Sequence, residues 1–118
     1  MTAGLDAATG AIAATGAIPG SLDDLDLAPE THEFLRALAS STRQQIMLLF
    51  ARGAELSVNE VAERAGIGQS TASNQLAIMR RGRVVTSRRD GKVVLYRADR
   101  EGTQAALGDL QRYLSICC

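Results

Sequence analysis

Apolar and polar positions from residue 29 onward repeat with two different periods, and the switch between them marks the elements. Val58, Val61, Ala62 and Ala65 recur at the spacing of one helix face. Ser57-Val58-Asn59-Glu60 opens that segment as a capping box, in which the serine hydroxyl and the glutamate carboxylate each satisfy a free backbone N–H of the other. After the short, glycine-bearing corner Ala65-Gly66-Ile67-Gly68, the helical period resumes. Ala72, Leu76 and Met79 fall at i, i+4 and i+7, which predicts a second helix from Gln69 to about Arg81. Its other face is small and polar, with Gln69, Ser70, Ser73, Asn74 and Ala77. Beyond it come two runs, Val84-Val85-Thr86-Ser87-Arg88 and Val93-Val94-Leu95-Tyr96-Arg97, around Arg89-Asp90-Gly91-Lys92. Asp-Gly between β-branched runs predicts a hairpin with a type I′ turn, placing Arg89 opposite Lys92 and Val85 opposite Tyr96.

Two helices are expected upstream and one downstream. Pro29 suits the first turn of a helix running to about Ala39, with Phe34, Leu35 and Leu38 apolar. Ser41 and Gln44 are placed to form another capping box, opening a helix that carries Ile46, Leu49 and Phe50 and is closed by Gly53. After the hairpin, Ala106 or Leu107, Leu110 and Leu114 give a helix from Glu101 to about Ile116. The first 28 residues differ. Ala7-Ala8-Thr9-Gly10-Ala11-Ile12 recurs unchanged as Ala13–Ile18, and an acidic Asp23-Asp24-Leu25-Asp26 follows. With little to bury and no charged leader, residues 1–28 are expected to be a flexible Ala/Gly-rich acidic arm, neither signal peptide nor membrane span. Residues 29–118 are expected to be one folded domain, mainly α with a small β-hairpin, in the arrangement of a winged helix-turn-helix with about five helices and a two-stranded wing.

At 118 residues and 46% hydrophobic, with few aromatics, the chain can build one modest core of Leu, Ile, Val, Met and Ala. Its formal net charge of +0 speaks against a nucleic-acid partner, yet the distribution reverses that reading. Arg80, Arg81, Arg83, Arg88, Arg89, Lys92, Arg97 and Arg100 face only Asp90 and Asp99 within residues 80–100, a surplus of six, whereas residues 1–35 contain no Lys or Arg. A local basic surface attracts DNA and releases its counterions. Short hydrogen-bonding side chains near a helix N-terminus can approach base edges, and the free N–H groups there can take a phosphate. The candidate DNA-binding set is therefore Gln69, Ser70, Thr71, Ser73, Asn74, Gln75, Arg80, Arg88, Arg89 and Lys92.

Four pieces of the chain together resemble the ArsR/SmtB family of bacterial transcriptional repressors. They are Leu35-Arg36-Ala37-Leu38-Ala39-Ser40-Ser41-Thr42-Arg43, Leu56–Ala62, Gln69–Leu76, and Arg88-Arg89-Asp90-Gly91-Lys92 with Tyr96. Gly68 stands where the family usually has a capping serine, and Arg83 where a glycine commonly ends the recognition helix, so Gly82 is expected to supply that turn one residue early. The resemblance implies a homodimer built on the first and last helices, binding a palindromic operator in duplex DNA and acting in the bacterial cytoplasm, associated with the nucleoid when bound.

The effector is less directly written. The family's cysteine-bearing sensor pattern would fall at Ser57 and Asn59, and its last-helix pattern near Arg100, Gly102, Tyr113 and Ile116; none of these suits a metal. Cys117, Cys118 and His32 remain as candidate ligands. Paired thiolates favour a soft species such as arsenite, while His32 with carboxylates favours nickel or zinc. Three alternatives stand beside this: the cysteines as small apolar groups continuing the Leu107, Leu110, Leu114 stripe, as thiol redox sensors, or as bystanders to a partner protein that carries the signal. With one histidine and no glycine-rich phosphate loop after a strand, the chain offers no catalytic set and is read as a non-enzyme.

Overall fold

A computed structural model of the chain describes residues 26–118; most of the arm expected over residues 1–28 lies outside them. Leu27–Arg112 form one compact unit, and Tyr113–Cys118 belong to a second. The elements are α1 (Pro29–Leu38), α2 (Ser41–Leu48), a 3₁₀ turn (Ala51–Gly53), β1 (Leu56–Ser57), α3 (Val58–Ala65), α4 (Gln69–Arg81), β2 (Val85–Asp90), β3 (Val93–Ala98) and α5 (Arg100–Cys117). This is a winged helix-turn-helix, mainly helical.

The apolar faces read from the periodicity meet in one core. Ile46, Val61, Ala72, Leu76, Met79 and Val85 are almost fully buried, with Phe34, Ala37, Phe50 and Leu56 beside them. The capping box of α3 is complete: Ser57 Oγ accepts from Glu60 N at 3.2 Å, and Ser57 N donates to Glu60 Oε1 at 2.9 Å. That backbone bond holds the Glu60 carboxyl below its ordinary value.

Four local expectations are corrected. The cap of α2 is Ser40, whose hydroxyl accepts from Arg43 N, while Gln44 donates instead to the Leu38 carbonyl at 2.8 Å; the bend after α1 puts that free carbonyl within its reach. Gly53 does not close α2, because tight i→i−3 bonds from Leu49 and Phe50 already end it, and Gly53 closes a separate 3₁₀ turn. The hairpin pairs Asp90 with Val93, Arg89 with Val94, Ser87 with Tyr96 and Val85 with Ala98. Its loop is therefore Gly91-Lys92, and Gly91 is the loop's one residue with positive φ, at 63°. Glycine at the first central position is the requirement of a type II′ turn, which slips the pairing by two residues and removes the Arg89–Lys92 juxtaposition. Slipping by two leaves the sheet faces unchanged.

The fourth correction lies at the end of α4. Gly82 keeps right-handed helical geometry (φ −79°), and Arg83 takes the left-handed conformation at φ 59°. A Cβ on Gly82 would stand 2.6 Å from the Glu33 carbonyl oxygen and 2.7 Å from Ala37 Cβ. Gly82 is thus an opening through which α1 packs on α4, and the turn falls to the next residue. Gly102 in turn leaves room for Arg83, whose Cβ and carbonyl oxygen would each lie 2.6 Å from an added methyl. The wing also gains a third strand: β1 pairs with β3 (Leu56 with Tyr96, Ser57 with Leu95), giving the order β1-β3-β2.

Candidate nucleic-acid interface

Helix α4 buries Ala72, Leu76 and Met79 completely, and this fixes what its other side presents. Gln69, Ser70, Thr71, Ser73, Asn74 and Arg80 are all exposed. The residue before the helix, Gly68, supplies no side-chain cap, so the N–H groups of the first turn keep their donor capacity, a ready anion site. Val58 at the start of α3 joins Gln69, Ser70 and Ser73 around an open cleft of about 590 Å³. Small hydroxyl and amide groups there leave room for a close approach to base edges.

The sheet divides the basic residues of the wing into two groups. Val85, Ser87 and Arg89 share the face of Leu56, Val94 and Tyr96, and that face meets the helices through Val85, Leu56 and Tyr96. Arg89, exposed near the tip, therefore stands on the helix side of the wing, with exposed Lys92 in the loop beyond it. Arg88 lies on the opposite face, because successive strand residues point to opposite sides. There it forks onto Glu55, with Nε to Oε2 and Nη2 to Oε1 both 2.8 Å. The pairing lowers the Glu55 carboxyl and raises the Arg88 guanidinium relative to their ordinary values.

Gln75 is also set apart. It is half-buried, and its Oε1 accepts from Arg43 Nη1 at 2.9 Å. Sequence patterning placed Arg88 beside Arg89 and Gln75 beside Asn74; their partners Glu55 and Arg43 lie 33 and 32 residues away, beyond the reach of any local signal.

The effector candidates do not converge. Among the described residues, no group of three or more His, Cys, Asp or Glu side chains could hold a metal ion. Exposed His32 sits on α1. Cys117 and Cys118 are exposed and reduced, their sulfurs 2.9 Å apart, and the hydrogen bond with Cys118 pushes the Cys117 thiol up.

A helix-turn-helix domain model matches residues 38–88. The nodulation protein NolR of Rhizobium meliloti is 31% identical over 91 residues, covering 71% of this chain and 74% of that protein. A homodimeric winged helix-turn-helix DNA-binding domain from Mycobacterium bovis, described as a possible ArsR-family regulator, superposes with a TM-score of 0.61 at 29% identity, over 81% of this chain and 85% of that one. The chain belongs to the ArsR/SmtB family of transcriptional regulators. Another relative of this ArsR/SmtB chain is the transcriptional regulator KmtR of Mycobacterium tuberculosis, 42% identical over 69 residues, which are 58% of this chain and 52% of KmtR. The chain thus spans about half of that regulator. The ArsR/SmtB family is one of regulators and not of enzymes, and no helix among the described residues is long and apolar enough to cross a membrane.

Proposed function

We propose that the chain is a sequence-selective DNA-binding regulator that acts as a homodimer on a palindromic operator in the bacterial cytoplasm. The observation that carries this is the exposed, small and polar face of α4, opening on an uncapped N-terminus, with Arg89 on the helix-facing side of the wing. Exposed Leu107 and Leu114, seven residues apart and so on one face of α5, supply an apolar surface suited to a second copy. The test is a titration of the full chain against duplexes selected from a random library and against unselected duplex, at two salt concentrations. Ser70→Ala, Ser73→Ala or Asn74→Ala is expected to lose roughly 1–3 kcal/mol on the selected duplex and almost nothing on the other. Arg89→Ala and Lys92→Ala are expected to weaken both, lowering the salt slope by about one per lost phosphate contact. Equal losses from the α4 variants on both duplexes would overturn base reading by that face.

Cys117 and Cys118 are the proposed effector groups, taking a soft species such as arsenite with a third donor from the other subunit, since adjacent thiols pair readily with soft ions. Nickel or zinc at His32, thiol oxidation and a partner protein are the competing modes. Calorimetry with each ion on the reduced chain and on a Cys117→Ser, Cys118→Ser variant decides among them. Unchanged ion affinity and DNA coupling in the variant would remove the cysteines from the switch.

A further inference from the structure

One guanidinium ties three helices together. Arg43, in the first turn of α2, donates through Nε to the Ala37 carbonyl and through Nη2 to the Arg36 carbonyl, both at 2.9 Å, and through Nη1 to Gln75 Oε1, also at 2.9 Å. The two carbonyls belong to the last turn of α1, where acceptors lack the usual i+4 donor; the Arg36 carbonyl also accepts from Ala39 N at 3.2 Å. The third acceptor lies on the flank of α4. Because a guanidinium carries donors only, the Gln75 amide must turn its oxygen toward Arg43. A glutamine that reads adenine uses oxygen and nitrogen together against the base edge. Gln75 has its oxygen engaged elsewhere and is half-buried, while Ser70, Ser73 and Asn74 are exposed.

We infer that Arg43 is a positioning residue for the reading helix and that Gln75 receives it, so that the pair sets how α4 is presented and Gln75 itself reads no base. The inference rests on the assignment of α4 as the DNA-reading helix. The planar fork suits this task, since its donors hold fixed relative directions where a lysine ammonium would make a single mobile point contact. The body it anchors is held at both ends: at the start of α1, Asp109 of α5 accepts from Ala28 N at 2.9 Å and from Thr31 Oγ1 at 2.7 Å. Helix α1 is thus a strut hydrogen-bonded to α5 at one end and, through Arg43, to α4 at the other.

The test compares base preferences of the full chain and its variants, obtained by selection from a random duplex library and checked by titration. Gln75→Met fills similar space without an acceptor. It is expected to lower the ratio of selected to unselected duplex affinity about tenfold, the scale of one hydrogen bond to a charged group, and to flatten the preferences at all base pairs read by α4 together. Arg43→Lys is expected to do the same. Gln75→Glu keeps an acceptor for Arg43; its added charge weakens binding to every duplex alike, yet the wild-type pattern of preferences survives. Flattening at a single base pair in Gln75→Met, or a changed preferred base in Gln75→Glu, would make Gln75 a base reader and overturn the inference. Unchanged preferences in Gln75→Met would overturn it too. A wild-type chain that selects no sequence would overturn the DNA-reading assignment itself, and the positioning role with it.

Discussion

Gly66 and Gly82 stand just beyond the two helices of the DNA-reading unit, and they are glycine for opposite reasons. Gly66 ends α3 in the left-handed conformation (φ 69°), and a Cβ added there would meet nothing within 4 Å. Gly82 follows α4 with ordinary right-handed geometry and no conformational need to be glycine, yet a Cβ there would press on the backbone of α1. One glycine supplies a dihedral angle, the other a space. Where glycine is required for space, the left-handed turn passes to a residue ill suited to it, Arg83, and Gly102 is then needed to make room for that arginine.

The comparison breaks or sharpens through substitution. The largest effect is expected from Gly82→Ala, which must push α1 away from α4 and should cost about 3 kcal/mol, read as a lower urea midpoint at unchanged slope. Gly66→Ala should cost roughly 1 kcal/mol, the penalty for a left-handed alanine in open space. If the two losses come out in the reverse order, the division into space and dihedral fails. Arg83→Gly is the converse probe. Relief of the left-handed strain should outweigh the greater freedom of glycine in the unfolded chain and the weak 3.9 Å contact to Asp99, for a net gain of about 0.5 kcal/mol.

The smallest effect concerns the tie that closes the same corner from the other side. Thr31 first, then Ala28 N and Arg112, hold the Asp109 carboxyl down at about 2, below its ordinary 3.8. A depressed folded-state value means stability that is complete above the unfolded value and lost as protons bind. The thermal midpoint of the native chain should therefore fall as pH drops from about 4 to about 2, and Asp109→Asn should flatten that decline. An identical acid profile in the variant would remove Asp109 from the tie.

Much of this fold was legible because its signals are local. A capping box requires residues three apart, a helix face requires residues three and four apart, and each was found where the pattern put it, at Ser57 with Glu60 and at Ala72, Leu76 and Met79. The exposed candidates Ser70, Ser73 and Asn74 were readable for the same reason: the opposite side of α4 is apolar. What failed were inferences in which a local rule had more than one solution. Asp-Gly allows a loop at Asp90-Gly91 or at Gly91-Lys92, and the three-stranded pairing of β1, β3 and β2 adopts the second. A serine pair offers two caps, and the one taken is Ser40 because Gln44 finds the end of α1.

By itself the sequence determined the order and type of the helices, the hairpin, which faces are buried and the family to which the chain belongs. The elements and their buried faces follow from periodicity, a property of neighbours along the chain, and the family from the resemblance of four short motifs. Only the tertiary structure decided that Arg88 faces Glu55 while Arg89 stays on the helix side, that Gln75 turns its oxygen to Arg43, and that Gly82 exists to admit α1. Each of these joins residues separated by tens of positions. Their partners are set by how the elements pack, and hydrogen-bond directions and steric contacts of that kind have no expression in spacing along the chain.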